Sequence, residues 1–249
     1  MAARLLNRFA PPGEVVYRDT DGYQRRADLN DHMESLVFVG RHRLPRAVVA
    51  ALRPGDWAID VGANVGSVSG QLCAAVGASG RVWAFEPVPR NVDRLRGLAA
   101  VNNLHQLQIF DVALSSSTGT AALALAQDGF SGHASFTASW ISGRRIDVVT
   151  QRLDDLTATV TDGERRPLRL IKLDVEGFER EVLAGAETTI RRFRPMIFCE
   201  FNDLILRDAG SSSHELLEAF AGLGYQVAPR WRRAGSTLAG RNVDLLMTG

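Results

Sequence analysis

Asp60, Glu86 and Asp174 each close a short apolar run, and a glycine or proline follows each of them closely. In an open α/β sheet, ligands bind outside the carboxyl ends of the strands, so an acid at such an end faces whatever is bound. The first of the three sites is the richest. Trp57-Ala58-Ile59 reads as a buried strand, and Asp60-Val61-Gly62-Ala63-Asn64-Val65-Gly66 leads from it into a helix. Gly62 and Gly66 let the backbone turn sharply and approach a ligand without a Cβ in the way. A dinucleotide fingerprint needs Gly-x-Gly-x-x-Gly to cradle a pyrophosphate. Counted from Gly62, the second and third glycine positions hold Asn64 and Ser67, so the spacing is wrong for that task. A carboxylate at the strand end repels a pyrophosphate and suits a ligand that carries an ammonium group. S-adenosylmethionine has an α-ammonium, a sulfonium and no phosphate.

The next strands extend the same reading. Arg81-Val82-Trp83-Ala84-Phe85 ends at Glu86, where an acid can accept hydrogen bonds from a ribose diol. Pro87 can open the following helix, where its missing N–H costs nothing. Leu107-Gln108-Ile109-Phe110 ends at Asp111-Val112, placed to contact an adenine ring. Farther on, Leu170-Ile171-Lys172-Leu173-Asp174-Val175-Glu176-Gly177 sets a lysine and two carboxylates at one strand end, and Glu200 ends the run Pro195-Met196-Ile197-Phe198-Cys199. Lys172 is the only lysine in the chain. A sequence that otherwise uses arginine needs an ammonium's shape there, whether as a site residue or as a satisfied Lys–Asp or Lys–Glu pair that organises the site. For methyl transfer to an oxygen, Asp174, Glu176 and His133 are the bases to consider, with Glu176 first because it directly precedes the helix-opening Gly177. His32, His42, His105 and His214 stand in no supporting context. No metal-ligand spacing is present, although Asp174, Glu176 and Glu200 are oxygen ligands that can hold Mg²⁺ in a metal-assisted variant.

These residues need elements to hold them. Strands are predicted at 56–61, 81–86, 107–112, 168–174, 195–201 and 243–248, and helices at 65–77, 89–101, 178–192 and 213–223. The alternation argues for a doubly wound, mainly parallel α/β sheet. Residues 1–50 read as an extension ahead of a main domain over 51–249: a hairpin around Asp21-Gly22, then a short helix from Leu44 to Leu52. This extension can cover the pocket or pair with a second subunit in a homo-oligomer. Residues 115–150, rich in Ser, Thr, Gly and Ala, read as a long irregular insertion of the kind that serves as a functional loop or lid.

Composition sets the outer bounds. With 249 residues, 45% hydrophobic and 23% charged, the chain is an ordinary globular one. A net charge of +1 gives no global field to recruit nucleic acid or an anionic membrane. Pairs such as Arg144-Arg145 and Arg191-Arg192 read as solvated faces. The two cysteines, Cys73 and Cys199, sit in apolar surroundings and read as small core residues. No apolar run reaches the length of a membrane span, and the N-terminus lacks the apolar core of a signal peptide, so a reducing cytoplasm is the default expectation.

Taken together, Asp60–Gly66, Phe85-Glu86-Pro87, Leu153-Asp154-Asp155-Leu156, Lys172–Gly177 and Pro195–Glu200 resemble the ordered motifs of the FkbM-type methyltransferases. The resemblance spans roughly residues 56–201. It implies S-adenosylmethionine as cofactor and the Rossmann-like class I methyltransferase fold. That fold has a seven-stranded sheet with one antiparallel strand near the C-terminus, here at 243–248. It also implies a small-molecule acceptor, since such enzymes commonly O-methylate hydroxyls of sugars or in natural product biosynthesis. On the motifs, Asp60, Gly62, Asn64, Gly66, Glu86, Pro87, Asp111, Val112 and Asp174 fall to the cofactor, and Lys172, Asp174, Glu176 and His133 to catalysis. A nicotinamide-dependent oxidoreductase and a non-catalytic nucleoside-binding module stand as the alternatives.

Overall fold

The computed structural model describes residues 4–5, 13–125, 134–136, 144–160, 167–231, 238 and 240–249. Its centre is a seven-stranded sheet. We number its strands β1 (Trp57–Val61), β2 (Arg81–Phe85), β3 (Leu107–Phe110), β4 (Leu168–Leu173), β5 (Met196–Asn202), β6 (Gln226–Val227) and β7 (Asn242–Thr248). They lie in the order β3-β2-β1-β4-β5-β7-β6. β1 to β5 are mutually parallel, and β7 runs antiparallel to both β5 and β6. Every residue of β1 is buried, as a strand covered on both faces requires. One face packs Ile59, Phe85, Ile171, Leu173 and Ile197 into the larger apolar cluster. The other packs Ala58, Val82, Leu170 and Phe198 against the helix Ser67–Val76 and the residues Leu44, Val48 and Leu52 that precede β1.

Strand pairing fixes which side chains meet. In the β1–β4–β5 ladders Asp60 stands beside Lys172, and Lys172 beside Phe198. Farther toward the carboxyl edge, Glu200 of β5 stands beside Asp244 of β7. Because side chains alternate from face to face along a strand, Phe198 and Glu200 share a face. The polar residues of the site are therefore gathered in rows by register alone.

Three sequence expectations change. Residues 115–150 are not one irregular insertion: strands Gly119–Leu125 and Arg145–Gln151 pair antiparallel in a separate four-stranded sheet with Ala113–Leu114 and Ala134–Ser135. Gly119–Leu125 is built of small residues with little apolar alternation, and Arg145–Gln151 is short and mostly half-exposed, so the Ser-, Thr-, Gly- and Ala-rich surroundings hid both. The helix expected over 178–192 is two, Glu179–Ala184 and Glu187–Phe193. Gly185 between them lies so close to the Ser115 carbonyl that a Cβ would sit 1.9 Å from its oxygen. Helix Asp203–Asp208 and strand β6 went unread.

The N-terminal segment is fastened to the sheet domain by charge. Strands Glu14–Arg18 and Gln24–Asp28 form the hairpin around Asp21-Gly22, followed by helix His32–Phe38. Arg94 of helix Pro89–Val101 donates to Glu14 at 2.9 Å and to Glu34 at 3.2 Å, and Arg90 donates to Asp31 and Glu34. Arg25 reaches deeper. Its guanidinium is buried, pairs with Asp19, and donates through both Nη atoms to the Gly66 carbonyl at 3.1 Å. It thus fastens the N-terminal hairpin to the turn that follows β1. Breaking a buried pair leaves the partner charge uncompensated. Arg25→Met is therefore expected to lower stability in urea unfolding by about 3–5 kcal/mol; a loss below about 1 kcal/mol, the value of a surface pair, contradicts this role.

Candidate active site

The turn after β1 is held from both sides. On the β2 side, the backbone N–H groups of Gly62 and Ala63 both donate to the Phe85 carbonyl at 3.0 Å, and the Asn64 N–H donates to Glu86 Oε2 at 2.8 Å. On the β4 side, Lys172 Nζ donates to the Gly62 carbonyl at 2.7 Å and the Val61 carbonyl at 3.2 Å. Gly62 has φ +74°, and a Cβ there would lie 1.9 Å from the Asp174 carbonyl oxygen, so only glycine fits. Asn64 also takes a left-handed conformation, φ +50°, which asparagine tolerates better than most residues.

Lys172 is the hub. Its ammonium, 5% exposed, stands 3.6 Å from Asp60 Oδ1 and 3.4 Å from Asp174 Oδ2. Burial by itself would lower its pKa, but Asp174 and Asp60 outweigh that and hold it charged. Asp60 is fully buried beneath the turn and accepts from Ser69 Oγ at 2.6 Å. Asp60 therefore supports the turn from below and does not line the cleft. Glu86 does line it. Its Oε1 accepts from the Val88 N–H at 3.0 Å and from Asn91 Nδ2 at 3.2 Å, while Oε2 accepts from the Asn64 N–H. Burial raises its pKa, opposed by those donors. A carboxylate offers about four lone-pair sites, so Oε2 keeps one for a further donor.

The cleft at the carboxyl ends of β1, β2 and β4 is also lined by Gly62, Asn64, Pro87, Val112, Asp174 and Glu176, with Phe85, Leu114, Phe136 and Phe178 as apolar wall. Of the expected pair Asp111 and Val112, only Val112 is there; Asp111 is exposed and ion-paired to Arg96 at 3.2 Å. Gly66 also lies off the cleft. It opens helix Ser67–Val76 with φ +82°, packed under Leu95 and Leu98. His133 lies outside the described residues. Sequence reasoning missed Met33, His42 and Asn91, which line the same cleft. Met33 and His42 come from the N-terminal segment, which carried no motif. Asn91 carried a faint signal, standing one turn beyond Glu86 at the start of a helix.

The carboxyls past β4 are crowded and protonate readily. Burial, then Asp174 and Glu179, push Glu176 up to about 8. Burial pushes Glu179 up to about 7, although its Oε1 accepts from the N–H groups of Val175 and Gly177. Burial, then Asp174 and Glu176, push Glu200 up to about 9. Glu176 is also held at φ +53°, a conformation that costs a non-glycine residue on the order of 1 kcal/mol and recurs at functional sites. Among the described residues, no group of three or more His, Cys, Asp or Glu side chains is arranged to hold a metal ion, so Asp174, Glu176 and Glu200 do not form a ready Mg²⁺ site.

A sheet of this order, with a glycine turn after the first strand and a buried acid at the end of the second, defines the class I methyltransferase fold. The family model for the methyltransferase FkbM domain matches residues 60–227, and the chain belongs to that family. The chain is similar to the 2-O-methyltransferase NoeI of Sinorhizobium fredii, with 27% identity over 176 residues, covering 65% of this chain and 70% of that one. Among solved structures, P. horikoshii TYW2 in complex with MeSAdo shares the fold at TM-score 0.50 and 13% identity, over 96% of this chain and 72% of that one. Methyltransferase FkbM from Methylobacillus flagellatus KT matches at TM-score 0.49 and 17% identity over 86% of this chain, which spans 52% of that longer one.

The raised carboxyls have a thermodynamic consequence. Glu179, Glu176 and Glu200 bind protons more tightly folded than unfolded, where the value is near 4.5. Their contribution to stability is complete below about pH 4.5 and is lost as pH rises through about 7 to 9. The thermal midpoint of the ligand-free protein should therefore fall between pH 5 and 9 in a buffer series. Glu179→Gln, which keeps the acceptor oxygen, should flatten the lower part of that fall. A midpoint that stays level or rises contradicts the assignment.

Proposed function

We propose that this chain is an S-adenosylmethionine-dependent methyltransferase that methylates a hydroxyl oxygen of a small-molecule acceptor. One observation carries the cofactor reading. The described lining of the main cleft includes three carboxylates, Glu86, Asp174 and Glu176, and no arginine or lysine. A dinucleotide's pyrophosphate would find no arginine or lysine to pair with there, whereas a sulfonium with an α-ammonium meets carboxyls whose charged form it favours. Glu86, fixed by three donors, is set to receive a ribose hydroxyl, and the apolar wall from Phe85 to Phe178 suits a flat base. Asn64 and Gly62 let the turn approach the ligand closely. When bound, the cofactor supplies an electrophilic methyl group.

What remains for the protein is to orient the acceptor oxygen and to take its proton. Orientation can contribute roughly 7–11 kcal/mol, and a positioned base about 10²–10⁴-fold. Lys172 and Asp60 are read as supports of the turn, and Asp174 and Glu176 as the carboxyls nearest the reacting groups. The oxygen reading rests on the family and on the similarity to NoeI, a 2-O-methyltransferase.

Calorimetry tests the cofactor reading directly. S-adenosylmethionine and S-adenosylhomocysteine should bind, and NAD⁺ should not; the reverse result removes the assignment. Glu86→Ala should weaken S-adenosylhomocysteine by about tenfold or more, the worth of a hydrogen bond to a charged group. An unchanged affinity shows that Glu86 does not hold the ribose.

A further inference from the structure

A second cleft opens on the far side of Asp174. Its lining includes Arg41, His42, Asp174, Phe198, Glu200 and Asp244, and it shares His42 and Asp174 with the cofactor cleft. These two residues are therefore the common wall, and a molecule in one cleft meets a molecule in the other across them. Strand register builds the rest: Phe198 and Glu200 share a face of β5, and Asp244 of β7 stands beside Glu200. An aromatic floor beside carboxyls, the arginines Arg41 and Arg43 and the Lys172 side chain matches a polyol, whose hydroxyls both donate and accept while its C–H face packs on a ring.

His42 is held in place by links to the cofactor side. Ser67 Oγ donates to the His42 carbonyl, the Leu44 N–H donates to Gln71 Oε1 at 2.9 Å, and Gln71 Nε2 donates back to the Leu44 carbonyl at 3.1 Å. Both anchors lie in helix Ser67–Val76, which leaves the turn after β1. Its Nδ1 is buried with no hydrogen-bond partner in another residue, which leaves Nε2 as the ring nitrogen an acceptor can reach. Burial and then the Lys172 ammonium lower its pKa, against the pull of Asp174 and Asp60, which favours the neutral ring. His42 also lies ahead of residues 60–227, the stretch that carries the family pattern.

We propose that the acceptor, a molecule bearing the neighbouring hydroxyls that sugars present, enters by this second cleft and that His42 takes the proton of the hydroxyl being methylated. The inference rests on the cofactor reading above. The hydroxyl oxygen forms a bond to the methyl carbon as the carbon–sulfur bond breaks. That bond's electron pair stays on sulfur, and the O–H proton passes to the imidazole and from there to solvent. His42 is a catalytic residue in this scheme, while Ser67 and Gln71 are positioning residues.

The test has a part free of turnover. In histidine-labelled protein saturated with S-adenosylhomocysteine, the His42 ring resonances should report a neutral ring at pH 7. They should also shift when methyl mannoside, methyl galactoside or p-nitrophenyl glucoside is added, and Glu200→Gln should weaken that response severalfold. In transfer of labelled methyl to these glycosides, His42→Asn should lower kcat by about 10²–10⁴-fold. The rate is read at saturating S-adenosylmethionine, so that any change in affinity at the shared wall is separated from the loss in kcat, and the thermal midpoint should show that the variant is folded. Free imidazole should restore part of the rate to His42→Gly. Failure of wild type to bind S-adenosylhomocysteine sinks the cofactor reading beneath. Normal binding with a silent His42 ring, with no transfer to any glycoside, or with His42→Asn as fast as wild type, overturns this inference alone. Loss of rate in Glu176→Gln without loss in His42→Asn assigns the proton to Glu176 instead.

Discussion

A single buried ammonium holds this site together. Lys172 Nζ reaches two carbonyls of the turn after β1 and lies between Asp60 and Asp174, so it ties together the ends of two neighbouring strands. The ammonium donates to the Gly62 carbonyl and shares the Val61 carbonyl with the Asp174 N–H, so the turn is held while its backbone faces the cleft. A lysine suits the place better than an arginine because its compact charge can point three donors in different directions, whereas a guanidinium is a flat fork. The desolvation of one cation is offset by two carboxylates, and the strand register that sets Asp60 beside Lys172 makes this possible. Remove the register and the same residues would be unpaired buried charges, each costing several kcal/mol.

The N-terminal segment completes the arrangement. Its Arg25 binds the carbonyl of Gly66, where the turn becomes a helix, and its Met33 and His42 line the cleft. The glycine turn is therefore clamped by Lys172 near its first glycine and by Arg25 at its last. Rigid clamping of this kind allows hydrogen-bond donors and carboxyls to be aimed before a ligand arrives, which is where electrostatic catalysis gains most. Past β4 the structure is less relaxed. Glu176 sits in a left-handed conformation among carboxyls raised above their ordinary range, and a cationic ligand in the cleft would relieve that crowding.

Much of this was legible in the chain. The central strands, β7 included, fall where their apolar runs placed them, and the turn from Asp60 to Gly66 is where its glycines put it. The strand-end acids were readable too, but not their orientation. Asp60 is covered by the turn that follows it, and Asp111 leans outward to Arg96, because in a strand one residue's offset decides the face. Gly119–Leu125, built of small residues, is a strand because of its pairing partner Arg145–Gln151, whose β-branched Ile146, Val148, Val149 and Thr150 favour a strand on their own.

The sequence by itself determined the class of sheet, the glycine turn after its first strand and the place of the one lysine at the end of β4, since these depend on local spacing and residue type. Tertiary structure alone decided that His42 stands at the wall between two clefts and that Arg25 grips the turn. Both residues lie far along the chain from their partners, with no periodicity or motif around them. Their positions follow from how the N-terminal hairpin and the segment after it pack against the elements beside the central sheet, and contacts of that range leave no local trace in the sequence.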